Sequence, residues 1–205
     1  MFKLLKSTVA VAVLSFMAVP AFAGVSGGVS YANDYIFRGQ SQTMGEASLS
    51  GQFDWNHDSG VYAGVWTGEV DIDGADRETD MYFGYAMDLG SIGIDVAYVD
   101  YAYSGNDALD GSEIWLSGSM GDMSVLHVMG QDDWNDYTEF SYSLSMGVDL
   151  SFGMWDNVGD NMKISKSFDL PMGLEGSVAY VDFTADSDSG MMDEDTVVFA
   201  ISKSF

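Results

Sequence analysis

The sequence predicts an all-β transmembrane barrel of about twelve antiparallel strands, and three observations lead there. Apolar residues recur at every second position along nearly the whole chain, the period of a strand with one greasy face. The final stretch, Val-Val-Phe-Ala-Ile-Ser-Lys-Ser-Phe, puts Val197, Phe199, Ile201 and Phe205 on one face and closes on an aromatic residue. At the other end Lys3 and Lys6 precede an apolar run from Val9 to Val19, and Ala21-Phe22-Ala23 supplies a small-x-small cleavage site. That pattern reads as a secretory signal peptide over residues 1–23, leaving 24–205 as one barrel domain.

Composition narrows the class. The chain holds 32 acidic and 7 basic residues, a net charge of −25, yet 47% of it is apolar and 14% aromatic. Such acidity speaks against nucleic-acid binding, which needs a basic surface. The apolar content speaks against disorder. A chain both acidic and aromatic must segregate the two classes, as alternating strands do. Without cysteine it has no disulfides, thiolate metal sites or Cys nucleophile. Beyond the signal, no apolar run reaches the ~18 residues of a spanning helix, so a membrane would be crossed by strands.

The strands are expected near 25–37, 46–56, 61–70, 79–88, 91–102, 112–120, 123–129, 137–146, 147–155, 161–168, 174–183 and 196–205. Segment 46–56 sets Ala47, Leu49, Phe53 and Trp55 against Ser48, Ser50, Gln52 and Asp54. Segment 80–88 sets Met81, Phe83, Tyr85 and Met87 against Asp80, Tyr82, Gly84 and Asp88. Segments 92–98, 138–146 and 148–154 repeat the alternation. The strands at 61–70 and 123–129 are poorly phased and their orientation stays open. Lengths match the ~9–11 residues that cross a bilayer at a tilt.

Connections alternate in length, short at 57–60, 89–90, 121–122, 146–147 and 169–173, longer at 39–45, 71–78, 103–111, 130–136, 156–160 and 184–195. The short set would be periplasmic turns and the long set external loops. Acids crowd the long set. Asp71 and Asp73, or Asp186 and Asp188, faintly resemble calcium loops but lack the EF-hand spacing, so solvated loops or weak Ca²⁺/Mg²⁺ sites are both open. Ile164-Ser165-Lys166-Ser167-Phe168 recurs as Ile201-Ser202-Lys203-Ser204-Phe205. Lys166 and Lys203 would sit at the membrane edge, where a Lys can reach headgroups, with Phe168 and Phe205 in the aromatic girdle.

Strand parity aims Asp34, Arg38, Asp54, Asp80, Asp95, Glu113, Glu139, Asp149, Lys163 and Glu175 into the lumen. On the same parity Val29, Tyr31, Tyr35 and Phe37 face lipid. Arg38, one of two arginines, would lie near the external mouth, either in an interior ion-pair network or as a ligand for an anionic solute group. The inward acids would give the lumen a cation-favouring field or merely hydrate a closed interior. His57 falls in a predicted turn and His127 in an ill-phased strand. Abundant serines make a Ser/His hydrolase conceivable but unspecific, and no G-x-S-x-G, H-E-x-x-H or phosphate loop is present.

The stretch Asn33-Asp34-Tyr35-Ile36-Phe37-Arg38-Gly39-Gln40-Ser41-Gln42-Thr43, followed by Gln52-Phe53-Asp54-Trp55 and Gly60-Val61-Tyr62-Ala63-Gly64-Val65-Trp66, resembles the TorF family of porins, small proteobacterial outer-membrane barrels. Their signature reads approximately S-D-Y-x-F-R-G-x-S-Q-T; Asn33 stands where Ser is usual. The resemblance implies an outer-membrane barrel and no settled substrate. The sequence expectation is therefore a porin-like channel for passive diffusion of small solutes, weakly cation-preferring. The alternatives are a non-conducting surface barrel with cation-binding loops and, further off, a hydrolase. Expected partners are outer-membrane lipids, small solutes and, through the C-terminal strand, the barrel-assembly machinery. No cofactor is expected.

Overall fold

The computed structural model describes residues 24–205; the expected signal peptide over 1–23 lies outside the described residues. Twelve strands form one closed antiparallel barrel in sequence order. They are β1 (Gly24–Ala32), β2 (Ser48–Asn56), β3 (Val61–Ile72), β4 (Ala75–Leu89), β5 (Ile92–Ser104) and β6 (Gly111–Met120), then β7 (Met123–Gly130), β8 (Tyr137–Leu144), β9 (Val148–Trp155), β10 (Gly159–Leu170), β11 (Leu174–Ala185) and β12 (Glu194–Ser204). The seam joins β1 to β12, from Gly28 opposite Ser204 to Ala32 opposite Ala200. Gly27 and Phe205 carry the ladder one step further, exchanging N–H···O bonds of 2.9 and 3.0 Å.

The alternation read from the sequence is the partition between the two surfaces of the wall. Phe53, Phe83, Ile94, Phe140, Ile164 and Phe199 are exposed on the outside, whereas Val99, Tyr101, Val128 and Val181 are buried within. A continuous outer belt of large apolar side chains is far more than a water-soluble monomer tolerates, and it suits hydrocarbon. Phe168 and Phe205 lie in that outer surface, and Lys203 donates from Nζ to the Met172 carbonyl oxygen at 2.7 Å.

Three expectations need correction, and one open point is resolved. The first strand stops at Ala32, and Tyr35 and Phe37 are buried inside instead of facing outward. The connection expected over 71–78 is a two-residue turn, Asp73-Gly74, with both residues at positive φ, so β3 and β4 run on past the assumed loop. An Asp-Gly pair is a strong signal for such a tight hairpin. The connection at 156–160 is likewise short, leaving only residues 156–158 between β9 and β10. The poorly phased strands now have an orientation: Tyr62 and Val70 face inward and Val61 and Val65 outward, while Val128 is inward and Met123 and Val125 outward. The β3 period is blurred because its lumen face is apolar too, Tyr62 and Trp66 packing inside while Val61 and Val65 face out; the register shift against β4 falls later, between Glu69 and Ile72.

Mid-height, two tyrosines cross the sheet reciprocally. Tyr62 pairs with Gly84 and Tyr82 with Gly64, and each ring lies over the opposing glycine. Tyr62 donates to Asp95 at 2.9 Å, and Tyr82 donates to Asp54. A Cβ at Gly84 would come within 2.4 Å of the Tyr62 ring and 2.7 Å of the Val96 carbonyl oxygen. Gly84→Ala is thus expected to cost about 1–3 kcal/mol, an overpacking penalty, read as a lower denaturation midpoint in detergent. Gly118→Ala, where only a Val125 methyl lies within 4 Å at 3.8 Å, should be close to neutral.

Candidate functional site at the far mouth of the barrel

The end of the barrel opposite the chain termini is closed by the chain itself. After β1 the backbone turns inward, and Ile36–Phe37 pairs with Gln40–Ser41 as a small hairpin inside the wall. Residues 34–39 are all buried. Arg38 and Gly39 form its tip, with φ of 48° and 93°, the two positive values a tight type I′ turn needs. A Cβ at Gly39 would meet Asn161 Cβ at 2.7 Å and Phe183 at 2.9 Å. The hairpin leaves β1, and its tip presses on β10 and β11.

The signature read from the sequence is the construction plan of this hairpin. Asn33 stands in for backbone at the end of β1, donating to Val197 O at 3.2 Å and accepting from Phe199 N at 2.6 Å. Asp34 Oδ1 accepts from the hydroxyls of Ser41 at 2.7 Å and Thr43 at 2.8 Å, clamping the two arms. Thr43 Oγ1 also accepts from Tyr35 N at 3.1 Å. Tyr35 stacks obliquely on Trp66, and Phe37 meets Tyr101 and Trp155 edge-on. Aromatic contacts and charge-assisted hydrogen bonds together hold a segment that strand pairing does not reach.

Arg38 carries the chemistry. Its Nη2 donates to Glu113 Oε2 at 2.7 Å, with both side chains almost fully buried. The guanidinium carbon sits 4.6 Å from the Tyr137 ring centroid and 5.3 Å from that of Trp155. Glu113 is held independently: Tyr101 Oη and Trp115 Nε1 each donate to the same Oε2 at 2.8 Å. Alongside, Glu78 and Asp80 point inward from β4, exposed at only 1% and 0%. Neither forms an ion pair among the described residues. Of these three buried acidic side chains only Glu113 meets the guanidinium.

The other lumen candidates are spread along the wall. Asp54 accepts from Gln52 Nε2 at 3.1 Å as well as from Tyr82. Glu139 accepts from Ser141 at 3.1 Å and Asp149 from Ser143 at 2.6 Å. Lys163 and Glu175 are half-buried, the latter near the mouth that carries the termini. Sequence reasoning missed Glu78, which shares parity with Asp80 but was assigned to a loop. It also missed the aromatic box of Tyr101, Trp115, Tyr137 and Trp155, whose inward parity was legible.

Asp71 lies on β3, Asp73 in the tight turn, and Asp186 and Asp188 in the loop before β12. No group of three His, Asp or Glu side chains able to hold a metal ion occurs among the described residues. His57 Nδ1 meets Ser59 Oγ at 2.8 Å in an exposed turn, and His127 Nδ1 meets Thr138 Oγ1 at 3.0 Å on an exposed strand position. Both pairs lie away from the buried cluster.

A closed twelve-strand antiparallel barrel with an apolar outer belt and a polar, acidic interior has the fold of outer-membrane porins. Among solved structures the KdgM porin is similar over 88% of this chain and 98% of its own, with a TM-score of 0.55 at 9% identity. The same porin in complex with disordered oligogalacturonate gives 0.55 at 8% identity, over 89% and 98%. The COG4313 outer membrane channel from Pseudomonas putida F1 gives 0.48 at 10% identity, over 89% and 96%. No curated protein sequence matches. The chain itself belongs to Gcw_chp, a bacterial protein family of unknown function, whose profile matches residues 20–148, from before β1 to the start of β9 and including the hairpin.

Replacing Asp34 by Ala removes the acceptor shared by Ser41 and Thr43. Hydrogen bonds to a charged group are worth about 1.5–3 kcal/mol. Amide hydrogen exchange over residues 35–43 should accelerate about 10- to 100-fold, with the barrel strands unchanged.

Proposed function

We propose that this protein is an outer-membrane porin of the TorF type, a channel for passive diffusion of small solutes with a weak preference for cations. The far mouth faces the cell exterior, and the inner hairpin is its constriction. One observation carries the reading: the interior wall of a porin-type barrel presents Asp54, Glu78, Asp80, Asp95, Glu113, Glu139, Asp149 and Glu175 against Arg38 and Lys163. Confined carboxylates between low-dielectric walls concentrate counter-ions and repel anions. Every connection at the end holding the chain termini is short, whereas four of the six opposite, at 33–47, 105–110, 131–136 and 186–193, are longer, which supports the orientation.

The oligogalacturonate held by the KdgM porin is a poor guide to the solute here, because an acidic sugar would meet this same row of carboxylates. The signature Asn33–Thr43 supports the TorF assignment, and the exposed apolar belt supports a place in the outer membrane. Nothing in the arrangement favours a hydrolase, since His57 and His127 stand apart from the buried cluster.

The depth to which the hairpin is buried favours one second reading, a barrel that conducts little while the hairpin is docked. Planar-bilayer recording of the refolded chain separates the two. Single channels with a potassium-over-chloride permeability ratio above one are expected. Replacing residues 35–42 by a short Gly/Ser link should raise conductance several-fold. Silent membranes before and after that deletion would overturn the channel reading.

The double variant Asp54→Asn/Asp95→Asn tests the charge argument on its own. It should lower the cation preference measured as reversal potential in a salt gradient. An unchanged ratio would show that mid-lumen charge does not set selectivity.

A further inference from the structure

Arg38 occupies a turn position that its backbone does not favour. The first central residue of a type I′ turn is chosen for positive φ, which Asn, Asp and Gly tolerate best, and Arg38 sits there at φ 48°. Its side chain must therefore account for its presence. That side chain fills a receptor built by other elements: Glu113 from β6, fixed by Tyr101 of β5 and by Trp115, with the Tyr137 and Trp155 rings of β8 and β9 beside the guanidinium. The acceptor, its orienting donors and the Tyr137 and Trp155 rings belong to the wall, while the hairpin brings the cation and the Phe37 ring, 4.5 Å from the guanidinium carbon.

The fit is incomplete. A guanidinium and a carboxylate can form two parallel bonds, yet here only Nη2 and Oε2 pair, while Arg38 Nη1 and Glu113 Oε1 meet no partner among the described residues. Glu78 and Asp80 face the same interior from β4, separated from Glu113 of β6 by β5 alone. Withdrawing Arg38 without replacement would strand buried negative charge, which is strongly unfavourable. Withdrawing it in exchange for another cation would not.

We infer that the Glu113 pocket is a receptor for guanidinium or primary-ammonium groups of small solutes, and that Arg38 is its tethered surrogate, displaced when such a solute enters. This deepens the channel reading by naming organic cations as the favoured solute class. A ligand that binds only the hairpin-out state shifts the population toward that state. Neutral and anionic solutes cannot replace the missing charge and leave the hairpin docked.

The test is a binding measurement and needs no conductance. Methylguanidinium chloride is titrated into the refolded chain in detergent micelles, with tryptophan fluorescence as readout and KCl at equal ionic strength as control. Arg38→Ala, its pocket vacated, should bind at least tenfold more tightly than the natural chain, and Arg38→Ala/Glu113→Gln should lose the binding. Equal affinity in all three chains overturns the inference. In the natural chain, amide exchange over residues 34–43 should accelerate with methylguanidinium and not with KCl. This second measurement decides the matter even where Arg38→Ala fails to refold, and unchanged exchange overturns the inference. Binding in a barrel that passes no current would sink the porin reading and leave the receptor standing.

Discussion

The apolar outer belt suits hydrocarbon, and hydrocarbon would offer a peptide group no partner, so every peptide group in the wall has to find one in a neighbouring strand. An open sheet leaves two edges, each a row of unpaired N–H and C=O groups costing several kcal/mol apiece in lipid. Here β1 meets β12 and no barrel strand is left with a free edge. The pairing fixes strand parity, and parity decides which side chains meet lipid and which meet the lumen. The exposed Phe83 and Phe199 and the buried Asp80 and Glu113 are two consequences of one register.

Closure creates a second demand, since a twelve-strand wall leaves a space that its own side chains fill unevenly. In the middle the filling is local, Tyr62 and Tyr82 lying across glycines of the facing strand and ending on Asp95 and Asp54. At the far mouth the filling comes from a segment outside the ladder. The hairpin satisfies part of its polar groups internally, through Asp34, Ser41 and Thr43, and part against the wall, where Asp71 N donates to the Gln42 carbonyl oxygen at 2.7 Å, Ser41 N donates to Glu194 Oε2 at 3.2 Å and Arg38 pairs with Glu113. Its docking rests on one ion pair, aromatic packing and a few isolated hydrogen bonds to β3 and β12, where the barrel rests on continuous backbone pairing.

The sequence was most legible where one periodicity acts alone. Strand number, order and the outer face of β2, β5, β8, β9 and β12 follow from alternation, because each strand has one lipid face and one lumen face throughout. It was least legible where something competes with that period. In β3 the inward Tyr62 and Trp66 are as apolar as the outward Val61 and Val65, so neither face stands out. In β7 the exposed face includes His127, so polarity and orientation disagree. The continuation of the first strand past Ala32 looked sound because Tyr35 and Phe37 keep the alternation, but there the alternating residues pack against Trp66, Tyr101 and Trp155 inside the barrel. Apolar burial within the lumen and apolar exposure to lipid leave the same mark on a sequence.

The dense signature around Arg38 resolves that ambiguity once its polar members are weighed. A lipid-facing strand has no use for Asp34, Ser41 and Thr43 at hydrogen-bonding range of one another, nor for Arg-Gly at a turn. Those residue types make sense only for a hairpin that must satisfy itself away from the sheet. The remaining imbalance lies in the wall: three acidic side chains are buried there, and the one guanidinium engages only Glu113, through one bond. A site built solely for stability would more readily use apolar contacts of the same volume, since a buried ion pair seldom repays its desolvation. An acidic wall kept behind a removable cation is better understood as a surface that other cations are meant to reach.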